Sequence, residues 1–138
     1  MTKRFAIALI FLSIASCSAS RAETVVYECV FNKSASEKSG EKDLGDPTKL
    51  TYIYDSEKPN ALELTGADTT SVSYHKWRDT ITFFNTPDVP TALTWYIIIT
   101  SIDADGRAAQ SHHVMNVDKT ISGFWQLYGR CSKSQPVR

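Results

Sequence analysis

The chain has 138 residues, with 15 basic and 15 acidic side chains, so its formal net charge is zero. That balance excludes the basic footprint of a nucleic-acid binder. The length allows one domain with a sizeable core, so a dense disulfide framework is not required.

Residues 1–22 read as an export signal. Lys3 and Arg4 make a charged start, an apolar run covers residues 5–14, and small residues lead to Ser20-Arg21-Ala22, which suits signal peptidase. The run is too short for a permanent membrane helix, which needs about 20 residues. A second cleavage reading stands beside the first. Ile14-Ala15-Ser16-Cys17 has the shape of a bacterial lipobox, with Cys17 as the lipidated residue. The first reading puts a soluble protein in the bacterial periplasm or outside the cell. The second anchors it on a membrane surface, and only then is a membrane a partner. Removing residues 1–22 takes away Lys3, Arg4 and Arg21 and no acid, leaving 12 basic against 15 acidic residues. Mild acidity of that kind favours solubility and weakly attracts cationic partners.

A single all-β domain is expected over residues 23–131, with a tail at 132–138. In residues 25–31, Val25, Tyr27, Cys29 and Phe31 alternate with Val26, Glu28 and Val30, the pattern of a strand with one buried face. Residues 33–48 are rich in Ser, Lys and Glu without an apolar period, which predicts a long mobile loop with room for one helical turn at 43–48. Strand-like runs follow at 49–55, 61–65, 69–74 and 80–85. Pro87-Asp88-Val89-Pro90 breaks the chain. Residues 93–102 are the most apolar run and read as a central strand buried on both faces. Asp103-Ala104-Asp105-Gly106 is a hairpin turn, with glycine placed for a positive backbone dihedral. Residues 107–117 return as the partner strand, and residues 123–131 close the domain. About eight short strands with turns between them predict a small antiparallel barrel or sandwich.

Cys29 and Cys131 are expected to form a disulfide in an oxidising compartment. Each lies on the more apolar face of its strand, so the first and last strands should be neighbours. The bridge needs α-carbons about 5.5–6 Å apart. Neither cysteine has a second ligand at metal spacing, and no metal or cofactor is implied.

No pattern in the chain carries chemistry. His112 and His113 are adjacent, so in a strand they face opposite ways and do not converge on one metal. The expectation is one exposed imidazole and one packed on the core with a hydrogen bond. Asp103-Ala104-Asp105-Gly106 has the opening of a calcium loop, but the glycine comes early and no glutamate falls at the twelfth position. No Gly-x-Ser-x-Gly elbow exists. The protein is therefore read as non-enzymatic. The candidate binding residues are Trp77, Lys76, Arg78 and His113. Trp77 lies in an expected turn between two cations, where an exposed indole would serve as an anchor.

Three segments, Tyr27-Glu28-Cys29, Gly106-Arg107-Ala108 and Tyr128-Gly129-Arg130-Cys131, give the chain a layout that resembles small exported bacterial β-barrel proteins with one disulfide. The general plan is also similar to that of periplasmic lysozyme inhibitors. Their inhibitory Ser-Gly loop is represented here only by Ser122-Gly123-Phe124. The resemblance covers the architecture alone; the chain is read as an exported binding protein of unknown partner, expected to be a protein or a cell-envelope component. A lysozyme-inhibitor-like role and a small-molecule carrier with a hollow barrel are the two alternatives.

Overall fold

Alternating apolar and polar residues produce eight strands: β1 (Thr24–Ser36), β2 (Gly40–Asp55), β3 (Asn60–Thr65), β4 (Asp68–Trp77), β5 (Thr80–Asn85), β6 (Thr94–Ile102), β7 (Arg107–Asn116) and β8 (Ile121–Ser134). The computed structural model describes residues 22–87, 94–116 and 121–135, with residues 121 and 122 described by their backbone alone. Each strand pairs antiparallel with the next, and β8 pairs with β1 to close a barrel. Closure removes the exposed edges that would otherwise invite pairing with other chains. The expected signal segment with Cys17, residues 88–93 of the break and the following strand start, and residues 136–138 of the tail lie outside the described residues.

Inward-facing residues build the core. Val25, Cys29 and Phe31 of β1 meet Leu50, Tyr52 and Tyr54 of β2, Val72 of β4, Ile81 and Phe83 of β5, Ile102 of β6, and Leu127 and Cys131 of β8. Phe31 and Phe83 are fully buried, and each contributes about 1.5–3 kcal/mol relative to exposure. Tyr52 stacks on Phe83 with ring centroids 4.1 Å apart. Near the start of β1 the core ends in an aromatic layer: Tyr27 stacks on Tyr54 at 6.2 Å, and Tyr54 leans on Tyr74 at 5.1 Å. The Tyr74 hydroxyl donates to the carbonyls of Asp55 and Lys58, which ties β4 to the β2–β3 turn.

Closure has two local devices. Cys29 and Cys131 lie directly opposite each other in the β1–β8 register, joined by a disulfide with α-carbons 3.9 Å apart. Two residues along, Phe31 lies opposite Gly129. A Cβ on Gly129 would overlap the Val30 carbonyl oxygen and lie 2.6 Å from the Phe31 α-carbon. Only glycine lets these two backbones approach so closely. Beyond that contact a bulge interrupts β1 between Phe31 and Lys33. The extra residue moves the inward positions from odd to even numbers, which is why Ser34 is buried. A disulfide linking adjacent strands suits an oxidising, exported environment.

A polar layer crosses the interior. The Tyr52 hydroxyl and Thr100 Oγ1 are 2.8 Å apart, and Gln110 Nε2 donates to Thr100 Oγ1 at 2.9 Å. Gln110 Oε1 lies 2.8 Å from His112 Nε2. A carbonyl oxygen can only accept, so His112 carries its proton on Nε2. The imidazole stacks on Trp125 with centroids 4.6 Å apart. Nearby, Asn85 Nδ2 donates to Glu63 Oε1 at 2.9 Å. Among the described residues no buried side-chain polar atom lacks a partner. Burial, and then the charge of Glu63, push the Tyr52 hydroxyl well above its ordinary range, so it stays protonated. Burial, then the neighbouring His113, push the His112 pKa down.

Several expectations change. Residues 33–48 are not a mobile loop and hold no helical turn. They belong to a long hairpin in which Lys33 pairs with Asp43 and Ser36 with Gly40. Their composition misleads because both faces are largely exposed there, so no apolar alternation is needed. The strand expected at 93–102 is not buried on both faces. In a closed barrel every strand has an outer wall, and Trp95 is 66% exposed. The tail also begins later than residue 132, since Ser132, Lys133 and Ser134 continue β8 and pair with Glu28, Tyr27 and Val26.

Three measurements follow. Replacing Cys29 and Cys131 together by serine should cost up to about 4–5 kcal/mol, read from urea unfolding, because the bridge closes about 100 residues. Gly129→Ala should cost at least about 3 kcal/mol, since the obstructing atoms are backbone. Gly45→Ala has open space around the added methyl and should stay within about 0.5 kcal/mol. Equal effects at the two glycines would refute the close-approach argument. The depressed His112 pKa means that the unfolded chain binds its proton first. Stability should therefore be complete above about pH 6.5 and fall as the pH drops below that value, by at most about 1.4 kcal/mol per unit from this group. His112→Gln should lose less stability than wild type between pH 7 and pH 5.

Candidate functional site

Three turns and the end of β8 gather at one mouth of the barrel. A cavity of about 430 Å³ opens there, lined by Tyr27, Lys76, Arg78, Asp79, Asp103–Gly106, Cys131 and Lys133. The β6–β7 turn forms one wall and is rigidly built. Gly106 takes φ +75°, accepts a 2.7 Å hydrogen bond from the Cys131 amide and leaves no space for a Cβ beside the Cys131 carbonyl. Asp103 accepts the amides of Asp105 at 3.0 Å and Arg107 at 2.9 Å, and its Oδ2 receives Arg107 Nε at 2.7 Å. Partial desolvation pushes the Asp103 carboxyl up, but these donors outweigh it and hold the group below its ordinary range. Arg107 also reaches Asp105 at 3.3 Å, and Arg130 donates to the Asp105 carbonyl at 2.7 Å.

The β4–β5 turn forms the opposite wall. Trp77 pairs with Thr80, so the loop between them has two residues, Arg78 and Asp79. Arg78 has φ +54°. Positive φ at the first loop residue is the position that a II′ hairpin gives to glycine. A side chain there costs about 1 kcal/mol or more relative to glycine. The guanidinium lies 5.9 Å from the centroid of the Trp77 ring, and the indole is 66% exposed. Lys76 and Lys133 complete the rim from β4 and β8. Among the described residues neither lysine nor Arg78 has an acidic partner, whereas Arg107 holds both Asp103 and Asp105.

Of the residues singled out in the sequence, Lys76 and Arg78 line this mouth, and Trp77 stands beside it against Arg78. Trp77 is the last residue of β4 rather than a turn residue. His113 does not join them. It faces the outer wall, opposite Ile97 and beside Phe124 at 6.1 Å. Across β5 to β8 that wall also carries Phe84 and Trp95 and no charged residue until Arg107 and Arg130. The two imidazoles thus point to opposite faces, with His112 on the core. Lys133, Tyr27 and Asp79 line the site but were not legible as site residues. Lys133 sits in a segment with no apolar signal, and only barrel closure carries it to Tyr27. Ser122-Gly123-Phe124 lies within β8, with Gly123 opposite Val114, rather than on a projecting loop.

No protein-family model and no curated protein matches the chain. Among solved structures, it is similar to a VirK family protein from Legionella pneumophila, with 13% identity, a TM-score of 0.41, and coverage of 80% of this chain and 83% of that one.

Proposed function

We propose that the chain is an exported, non-enzymatic binding protein that engages its partner at the Arg78 mouth. The observation that carries this reading is the concentration at one mouth of cations that have no acidic partner among the described residues. Lys76, Arg78 and Lys133 are such cations, and the exposed Trp77 stands beside Arg78. Aromatic and arginine side chains in such positions are the usual anchors of binding surfaces. The rest of the mouth is stiff, because the disulfide and the Asp103–Arg107 turn form its walls. A stiff site loses less entropy on binding. The signal at residues 1–22, and lipidation at Cys17 as its alternative, belong to the same proposal.

The lysozyme-inhibitor alternative gains nothing from the mouth, since unpaired cations do not suit a cationic hydrolase. The carrier alternative needs an empty centre, whereas Tyr52, Phe83 and the Gln110 layer occupy the middle of this barrel.

Affinity capture from envelope extracts of the native host, with immobilised protein, tests the proposal. A triple variant with Lys76→Ala, Trp77→Ala and Arg78→Ala should retain at least about tenfold less of the wild-type partner, the loss of a single hot spot. Trp95→Ala, on the outer wall, should retain it fully. A partner held by the triple variant and lost from Trp95→Ala would move the binding surface to the outer wall and end this reading.

A further inference from the structure

We infer that the Arg78 mouth is a binding site for a multiply charged oxyanion of the phosphate-monoester class, a reading that rests on and sharpens the proposed binding role. Three cations from three separate elements converge on one cavity: Lys76 from the end of β4, Arg78 from the β4–β5 turn and Lys133 from β8. The acids in the same lining cancel them only in part. Arg107 holds both Asp103 at 2.7 Å and Asp105 at 3.3 Å, so one cation offsets one of their two charges. Asp79 and the charge left on that pair oppose Lys76, Arg78 and Lys133, and the balance at the mouth stays positive.

The backbone supports the same assignment. Arg78 holds a left-handed conformation at a loop position where glycine would be relaxed. Strain of this kind is a pointer to function when the side chain has work at that place. The Arg78 guanidinium rests near the Trp77 ring without losing its charge to an acid. Its planar fork matches two oxygens of one phosphate, and the lysines supply point charges to the third. Tyr27 lines the cavity beside Lys133. Burial, then the charge of Glu23, raise its pKa, so its hydroxyl stays a donor.

Size and polarity limit the ligand further. The cavity of about 430 Å³ has room for a sugar or glycerol unit attached to the phosphate. Its lining is more polar than apolar, which disfavours a wholly apolar guest. A single carboxylate would leave cations unmatched, whereas a phosphate monoester carries close to two charges. The phosphate could belong to a soluble sugar phosphate or to a lipid headgroup, and the chemistry of recognition is shared.

The test is a calorimetric titration of the intact protein with a hexose 6-phosphate, with the uncharged hexose as control. Co-sedimentation with vesicles containing phosphatidic acid, a lipid phosphate monoester, is run in parallel, against phosphatidylcholine vesicles. Arg78→Gln and Lys133→Gln should each weaken binding about tenfold, the effect of one charge-assisted hydrogen bond. Asp79→Asn should tighten it about two- to fivefold by removing an opposing charge. Raising the salt should weaken it, because the groups are exposed. These substitutions are at exposed positions, so circular dichroism should show the same barrel in each. Binding of the hexose phosphate with this variant pattern supports the site and a soluble source. Binding only to phosphatidic acid vesicles with the same pattern supports the site and a lipid source. Failure of every phosphate probe, or binding indifferent to Arg78→Gln and Lys133→Gln, overturns the oxyanion assignment. Should the envelope partner still require Lys76, Trp77 and Arg78 in that case, the binding role stands without it.

Discussion

The approach of β8 to β1 is the constraint on which the other features depend. A sheet of eight strands has two edges, and here they meet through a narrow seam of small contacts. Gly129 lies against the backbone of Val30 and Phe31, and the Cys29–Cys131 bridge follows two residues away. Without the glycine the strands would stand apart and the disulfide geometry would be lost. With it, the first and last strands are held together and the sheet closes around the core. The disulfide acts mainly on the unfolded chain, whose ends it keeps close. The glycine acts on the folded one, where it lets backbone hydrogen bonds form across the seam. The two devices therefore reinforce one closure by different physical routes.

Closure also explains the mixed character of the interior. An eight-stranded barrel is just wide enough for side chains to fill it. Aromatic and aliphatic side chains fill it together, with Tyr52 stacked on Phe83. Thr100, Gln110 and His112 add a polar layer whose atoms bond to one another and to Tyr52 across β2, β6 and β7. A polar layer of this kind is acceptable in a core only when it is complete. It also discriminates between registers, because a one-residue slip would turn these groups outward and strand their partners.

The two mouths and the outer wall divide the surface into unlike regions. At the Arg78 mouth, charged groups cluster on rigid turns, and their distribution is not self-cancelling. The outer wall of β5 to β8 is free of charge over most of its length and displays Phe84, Trp95, His113 and Phe124. A histidine on that wall and a tryptophan at the end of β4 look equally prominent in the chain. Their surroundings separate them, since only the second stands beside cations without acidic partners among the described residues. The long β1–β2 hairpin shows the opposite case, a segment whose polarity conceals regular structure.

The sequence by itself determined the class of the fold and its clasp. Period-two alternation in residues 25–31 and 125–131, turn residues at 103–106 and a cysteine on each buried face are local signals, and strands obey them because each must bury one face. Lys76, Trp77 and Arg78 were legible as a group for the same reason, being contiguous. The tertiary structure alone decided which distant residues share the mouth. Lys133 and Tyr27 meet there through the β1–β8 register, and Asp103 and Asp105 face Lys76 only because the barrel closes. It alone also revealed that Arg107 pairs with both of those acids and that Arg78 adopts a positive φ. Contacts between residues far apart in the chain depend on shear, twist and closure of the whole sheet, and no local pattern encodes them.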